Sequence, residues 1–251
     1  MNSVLKDKNI VVTGGSRGIG KATLELCVQS GANAIAVFRR ENAEAIHQLQ
    51  ELAKQHGVGV EVFYADFLHE EEVKNVADEI LKLKIPLDGI VNNVGIAGDV
   101  RLFSMTKIES IKEVFQINLF SPLLFTQRLL KNMIRHKRGA IVNVSSVSAL
   151  DGNPGSLEYI SSKAGLIGAT KKLASELAAF NIRVNALAPS ITDTDMLSLM
   201  PDELKNKMIG NIALKRIATP IEIAQVIIFL LSSQSSFVNG ETIRIDGGKI
   251  L

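Results

Sequence analysis

The side chains best suited to chemistry lie between Ser145 and Lys163. An apolar run, Ala140 to Val144, delivers Ser145 and Ser146, a loop rich in glycine, proline and asparagine follows, and a helical pattern begins near Leu157. Tyr159 and Lys163 are four residues apart, so a helix stacks them one turn apart on one face. A phenol with an ordinary pKa of about 10 exchanges its proton poorly near neutrality. A nearby ammonium stabilises the phenolate and lowers that value. A serine hydroxyl at a strand end can meet the same pocket from the other side. The set predicts a proton donor, its tuner and an oxygen-polarising partner. Taken singly, each piece has an ordinary reading: tyrosine over a lysine stem is common helix surface, and serines after a strand are usual loop formers.

A second signal lies near the N-terminus. Asn9 to Thr13 reads as a short buried strand, Thr13-Gly14-Gly15-Ser16-Arg17-Gly18-Ile19-Gly20 as a glycine loop, and Ala22, Leu24, Leu26 and Cys27 as the apolar face of a helix. Strand, glycine loop and helix form the context of a phosphate-binding turn. The glycines allow close backbone approach, and the helix start offers unpaired N–H groups and a positive dipole end. A glycine turn before a helix also serves simply as a turn. A second strand, Ala34 to Phe38, ends in Arg39-Arg40. In dinucleotide folds a carboxylate about 20 residues past the loop binds the ribose 2′-hydroxyl of NAD. Here that place holds Phe38 and two arginines, whose forks match a 2′-phosphate, and Arg17 can close the same pocket. NADP(H) is therefore expected over NAD(H), against the reading of solvated strand-end charges.

The elements that must position these residues alternate along the chain. Helical periodicity covers roughly 41–56, and a strand from Val58 to Tyr64 leads to Ala65-Asp66-Phe67, where Asp66 either accepts a ligand hydrogen bond or caps the next turn. A helix from Glu70 to Leu83 follows, then a strand ending in Asn92-Asn93-Val94-Gly95, whose asparagines either tie loops together or bind a ribose. Ile108 to Lys131 reads as one long helix with a flaw. Asn118 is a poor interior helix residue, and Pro122 clashes with the Asn118 carbonyl, so a local disturbance with a polar group turned inward is expected. Arg135-His136-Lys137-Arg138 is either a solvated helix end or a landing place for an acidic partner. The helix after Lys163 runs to about Ala179, a strand from Ile182 ends in Pro189-Ser190, and the segment near 191–215, with Met196, Met200 and Met208, has the character of a substrate lid. A helix from Glu222 to Leu231 and a strand within Gly240 to Gly248 close the chain. Such alternation, with near-continuous apolar strands, predicts an α/β fold: a doubly wound parallel sheet in three layers. Ligands bind at the carboxyl ends of such strands, where the glycine loop, Asp66, the asparagine turn, the serines and Pro189 all fall.

The 251 residues suit one domain with an ample core. Net charge is +2, which gives no footprint for nucleic acid. No apolar run approaches the ~20 residues that cross a membrane, and Met1 to Lys8 is too polar for a signal peptide. Cys27, the single cysteine, forms no internal disulfide and suits a reducing cytoplasm, as core filler. His47, His56, His69 and His136 show no metal-ligand spacing, so no metal is expected.

From Lys6 to Gly248 the chain resembles the short-chain dehydrogenase/reductase family: Thr13-Gly14-x3-Gly18-x-Gly20, Asp66, Asn92-Asn93-x-Gly95, Asn118, Ser146, and Tyr159-x3-Lys163 thirteen residues after Ser146. The resemblance implies a single Rossmann-type domain over residues 1–251 with a seven-stranded sheet, usually a homotetramer, and hydride transfer on NAD(P)(H). It assigns Tyr159 as general acid or base, Ser146 as hydrogen-bond donor to the substrate oxygen, Lys163 as the group that lowers the tyrosine pKa and holds the nicotinamide ribose, and Asn118 as holder of a water linked to Lys163. Cofactor contacts would fall on Gly14, Ser16, Arg17, Gly18, Ile19, Gly20, Arg39, Arg40, Asp66, Phe67, Asn92, Val94, Gly95, Tyr159, Lys163, Pro189, Thr192 and Thr194. Ser190 departs from the Pro-Gly usual after the sixth strand, which puts the local nicotinamide fit in question. The pattern and the Gly-x-Thr-Ile-x-Ile-Asp-Gly-Gly ending look most like bacterial 3-oxoacyl-carrier-protein reductases, implying an acyl-thioester substrate and an acidic carrier protein that Arg135 to Arg138 would greet. Phe180, where those reductases often carry a second basic residue, departs from that pattern. Another small ketone, sugar, cyclic alcohol or steroid is the alternative substrate, and a non-catalytic cofactor sensor or scaffold the remote one.

Overall fold

A computed structural model of the chain describes residues 3–153, 155–194, 197 and 202–248. Met196 and Met200, expected in the lid, lie outside them. Seven strands alternate with helices: β1 (Asn9–Thr13), α1 (Gly18–Gln29), β2 (Asn33–Phe38), α2 (Ala43–His56), β3 (Val60–Tyr64), α3 (Glu70–Lys82), β4 (Gly89–Asn92), α4 (Ile108–Phe115), α5 (Ser121–His136), β5 (Gly139–Val144), α6 (Ser148–Asp151), α7 (Leu157–Leu177), β6 (Ile182–Pro189), α8 (Asp202–Gly210), α9 (Pro220–Leu231) and β7 (Thr242–Ile245). The sheet order is β3-β2-β1-β4-β5-β6-β7, and every pairing is parallel. The order reverses between β1 and β4, which opens a crevice at their carboxyl ends.

Strand periodicity builds the two cores. Ile10, Val12, Val91, Ala140, Val142 and Val144 face one side, against α1, α2 and α9. Val11, Ile90 and Ile141 face the other, against α3, α5 and α7. Both faces of the sheet are covered, so the inner strands are nearly continuous in buried residues rather than alternating.

The expected flaw in the long helix is real. Between α4 and α5 the turn Gln116–Phe120 widens to π geometry. Pro122 has no N–H and its ring crowds the carbonyl four residues back; the wider turn accommodates both, as π-bulges do inside α-helices. The extra residue turns Asn118 fully inward, at 0% exposure.

The amino edge of the sheet is held by Asp88. Its side chain is 3% exposed, with Arg138 Nε 2.8 Å and Lys8 Nζ 3.3 Å from Oδ1. Oδ2 accepts from the Asn9 backbone N–H at 3.1 Å. This assigns part of the basic knot: Arg138 closes a buried acid. Replacing Asp88 by Ala strands the Asn9 N–H and two cations. Expected is a loss of about 1–3 kcal/mol in urea unfolding, with the denaturant slope unchanged.

Candidate active site

The glycine loop forms because β1 must turn sharply into α1. Gly14 and Gly18 have φ of 67° and 55°, a region that favours glycine. At Gly20 a Cβ would run into the Gly14 carbonyl and the Asn93 amide. Arg17 caps α1 in extended conformation with no side-chain cap bond, and the first turn carries no acid. Its N–H groups and positive dipole end therefore face the crevice without a side-chain acceptor, the arrangement that suits a phosphate. A cavity of about 280 Å³ lies beside this turn, lined in part by Gly18, Lys21, Asp193 and Thr194. A pyrophosphate-bearing cofactor fits this loop.

Asn93 stitches the loop to β4. Its Nδ2 donates to the Thr13 and Gly14 carbonyls at 3.0 and 3.1 Å. Thr13 Oγ1 accepts from the Asn93 and Val94 N–H groups at 3.1 and 3.2 Å. Sequence reasoning placed Asn92 at the cofactor, but its amide turns into the layer under α5 and α7. There it donates to Thr126 Oγ1 at 2.9 Å and Asn143 Oδ1 at 2.8 Å, and Asn143 donates to Thr170 Oγ1 at 2.8 Å. Strand period explains this: Asn92 shares the face of Ile90. The Phe67 side chain also turns inward. Its ring is 3% exposed and packs on Phe125 at 5.7 Å, and its carbonyl accepts from Ser121 Oγ.

Asp66 takes the capping option and adds a partner. Oδ1 accepts from the Leu68 N–H at 3.0 Å, and Oδ2 is 2.8 Å from Arg39 Nη2. Burial works against the Asp66 carboxylate, but the Leu68 N–H and the Arg39 guanidinium outweigh it and hold the pKa below the usual range. Arg40 stands exposed beside this pair.

At the other end of the crevice, β5 and α7 carry the residues expected to handle the proton. Ser156 caps α7, its hydroxyl accepting from the Tyr159 N–H at 3.2 Å, which fixes Tyr159 in the first turn. Asn118 brackets the loop after β4: Oδ1 accepts from the Ile96 N–H at 2.8 Å and Nδ2 donates to the Ile96 carbonyl at 2.9 Å. Nδ2 also donates to Ser162 Oγ on α7 at 3.1 Å. A Cβ at Gly95 would lie 3.0 Å from Lys163 Nζ and 3.3 Å from Asn118 Oδ1, so a glycine lets both polar ends converge there. Lys163 is 3% exposed, and Nζ donates to the Val144 carbonyl at 2.7 Å. Ser145, which sequence reasoning passed over in favour of Ser146, donates to the Lys163 carbonyl at 2.9 Å. Asn93 thus takes the loop-tying option open to the asparagine turn, and Ser162 is a supporting residue that the sequence pattern did not single out.

The electrostatics differ from the sequence expectation. Burial pushes the Tyr159 phenol up, and the Ser146 hydroxyl partly opposes the shift. Lys163, engaged with the Val144 carbonyl, is not what lowers it here. Burial without an acidic partner pushes Lys163 itself down to about 8. Thr194 stands over Gly18, its Cγ2 3.1 Å from where a Cβ would be, and Thr192 Oγ1 donates to the Ser190 carbonyl at 3.0 Å. The Ser190 N–H extends the β6–β7 ladder to the Ile245 carbonyl at 2.9 Å. Ser190 is absent from the residues with positive φ, so a side chain there brings no backbone strain. Arg135 to Arg138 precede β5, while Ser146 follows it. They lie at the opposite sheet edge, a strand length of roughly 20 Å away, and do not face the substrate side. Among the described residues no group of three or more His, Cys, Asp or Glu could hold a metal ion, and no helix is long and apolar enough to cross a membrane.

Comparison with known proteins bears on this geometry. A family model described as Enoyl-(Acyl carrier protein) reductase matches residues 14–249. The chain is 39% identical over 249 residues to the 3-oxoacyl-(acyl-carrier-protein) reductase FabG of Aquifex aeolicus, covering 99% of each. It is 40% identical over 248 residues to the protein of that name from Thermotoga maritima, covering 98% of this chain and 99% of the relative. Similar solved structures include a chain from Beutenbergia cavernae assigned as an NAD(P)-dependent gluconate 5-dehydrogenase with bound NADP, at TM-score 0.91 and 29% identity over 99% and 98% of the two chains. A 3-oxoacyl-(acyl-carrier protein) reductase with bound NAD from Brucella melitensis matches at TM-score 0.88 and 28% identity, over 100% and 94%.

The Lys163 shift predicts a pH signature. The fold disfavours the protonated lysine, so between pH about 8 and 10.5 the unfolded chain binds the proton that the folded chain has lost. Stability then rises with pH across that window. Cys27 and Tyr159, both raised by burial, act oppositely as their unfolded forms ionise near 9.0 and 10.0. They are common to parent and Lys163→Met, so the difference isolates the lysine. Urea midpoints from pH 7.5 to 9 should climb more steeply in the parent than in Lys163→Met; equal slopes would remove the assignment.

Proposed function

Since the chain belongs to the short-chain dehydrogenase/reductase family of oxidoreductases, we propose that it reduces a 3-oxoacyl thioester to the 3-hydroxy product with NADPH. The observation that carries the reading is the meeting of the Ser146 hydroxyl and the Tyr159 phenol at the same sheet edge as the glycine loop. The named reductases among the relatives, near 40% identical over almost their whole length, support the thioester.

The bound nicotinamide would supply the hydride. Tyr159 delivers the proton to the carbonyl oxygen as negative charge builds on it. A phenol raised by burial stays protonated through neutral pH, which suits the reducing direction. Ser146 donates to the same oxygen, a contribution of about 10²–10³ by analogy with oxyanion donors. Lys163 is mostly protonated at neutral pH and places its charge one turn of α7 from the phenol. Asn118 and Gly95 hold the route from Lys163 to the loop after β4. Gly14, Ser16, Gly18, Ile19 and Gly20 would cradle the pyrophosphate. Arg39 neutralises Asp66, and the exposed Arg40 would be the first cation to meet a 2′-phosphate, with Arg17 on the glycine loop nearby. Thr192, Thr194 and the segment near 191–215 would cover the cofactor. A homotetramer is the proposed assembly, supported by the exposed Leu102, Phe103, Met105, Ile108 and Phe120 around α4.

An acetoacetyl thioester, free and on carrier protein, should deplete NADPH. Activity on neither form, with turnover of a sugar or cyclic ketone instead, would replace the thioester reading. Tyr159→Phe should lower the rate by about 10²–10⁴ while NADPH still binds; a parental rate would remove the proton-donor role. NADPH should bind more tightly than NADH, and Arg40→Ala should narrow that gap. Equal affinities in the parent would overturn the 2′-phosphate assignment.

A further inference from the structure

Arg244, on β7, joins segments far apart in sequence. Its Nη1 donates to Asp151 Oδ2 and to Asp246 Oδ2, each at 3.0 Å, and its Nη2 donates to Asp151 Oδ1 at 2.6 Å. The fork on Asp151 is bidentate, a geometry that fixes direction as well as distance. The side chains of Arg244, Asp151 and Asp246 are 35%, 21% and 15% exposed, so the cluster sits at the surface with its carboxylates partly covered.

Asp151 is the last residue of α6, the short helix that starts two residues after Ser146. Upstream, the serine turn is tied to β6: the Ser145 N–H donates to the Leu187 carbonyl at 2.7 Å and the Val147 N–H to the Pro189 carbonyl at 3.0 Å. Downstream, Gly152 and Gly155 take φ of 74° and 140°, backbone that resists little, before Ser156 caps α7. The tie through Asp151 gives the path from Ser146 to Tyr159 a side-chain anchor on β7 partway along its length. On its other side, Asp246 Oδ1 accepts from the Gly248 N–H at 3.0 Å. The Gly247 and Gly248 carbonyls accept from the Leu214 and Ala213 N–H groups at 3.1 and 2.8 Å. A continuous chain of bonds thus runs from the serine turn to the stretch after α8.

We propose that Arg244 is a positioning residue: by gripping Asp151 it fixes the α6 turn against β7 and so sets the approach of the Ser146 hydroxyl to the Tyr159 phenol. The inference rests on the reductase reading for its kinetic consequence and on geometry alone for the rest. None of Arg244, Asp151 or Asp246 belongs to the proton-transfer set or the glycine loop.

The test uses the full chain with R244Q, D151N and the double variant. With an acetoacetyl thioester and NADPH, each single variant should lower kcat about 10-fold, as small misplacements of reacting groups do. KM and the NADPH dissociation constant should stay within about 2-fold, and the double variant should be no worse than either single one, the mark of one shared interaction. Unchanged kcat in both folded single variants, or effects that multiply, would overturn the proposal. A second readout is independent of any substrate. The chain has two tyrosines, Tyr64 and Tyr159, so in a Tyr64→Phe background the ultraviolet titration reports Tyr159 alone. Loss of the Ser146 contact should raise its midpoint in R244Q and D151N. An unmoved midpoint would sink the positioning role, whereas a raised midpoint without thioester turnover would sink only the reductase reading. Should R244Q fail to fold, D151N gives the same readouts.

Discussion

A lysine lies almost completely buried at the end of β5 with a backbone carbonyl, that of Val144, as its acceptor and no carboxylate among the causes of its shift. A cation in that position is costly unless neighbours hold it, and the surroundings are arranged accordingly. Gly95 withholds a side chain so that Nζ and Asn118 can converge. Asn118 reaches that point because Pro122 forces the helix to widen one turn earlier. Ser145 grips the Lys163 carbonyl from β5, and Ser162 receives Asn118 from the next position on α7. Removing the charge would leave these contacts with little reason to exist.

Much of this was legible in sequence because it follows from short-range rules. Strand and helix periods gave the layers, the glycines of the first loop marked the turn from β1 into α1, and Asn118 with Pro122 marked the disturbed turn. The inward turn of the Asn92 amide follows the same rule, since period two groups it with Ile90. Other features had no local signal. Arg39 and Asp66 are 27 positions apart and Arg244 and Asp151 are 93 apart, and only the fold brings such charges into contact. The sign of the Tyr159 shift was equally hidden, because it depends on how much water the packed site excludes rather than on which residues stand four apart.

The basic knot shows how topology decides between two chemical readings of one charge run. In a parallel sheet every segment that enters a strand lies at the amino edge, and every segment that leaves lies at the carboxyl edge. Arg135 to Arg138 enter β5, and Ser145 and Ser146 leave it, so the cluster and Ser146 cannot share an edge. Arg138 answers the buried Asp88 together with Lys8, and the remaining cations sit where the α5 carboxyl end favours positive charge.

Tyr159 and Lys163 are shifted in opposite directions by the same cause, exclusion of water, because one becomes charged on losing a proton and the other on gaining one. Burial therefore holds the phenol in its donor form and makes the lysine's charge conditional near pH 8. A site biased this way gives up a proton only as an oxygen beside it becomes more basic, which is what a carbonyl does when hydride arrives at its carbon. Running the reaction the other way needs the phenolate first, and the fold opposes that state except through Ser146. The serine thus favours both halves of the cycle, since its hydroxyl can donate to a phenolate as readily as to a developing alkoxide. Any element that governs where that hydroxyl points governs how far the two directions differ.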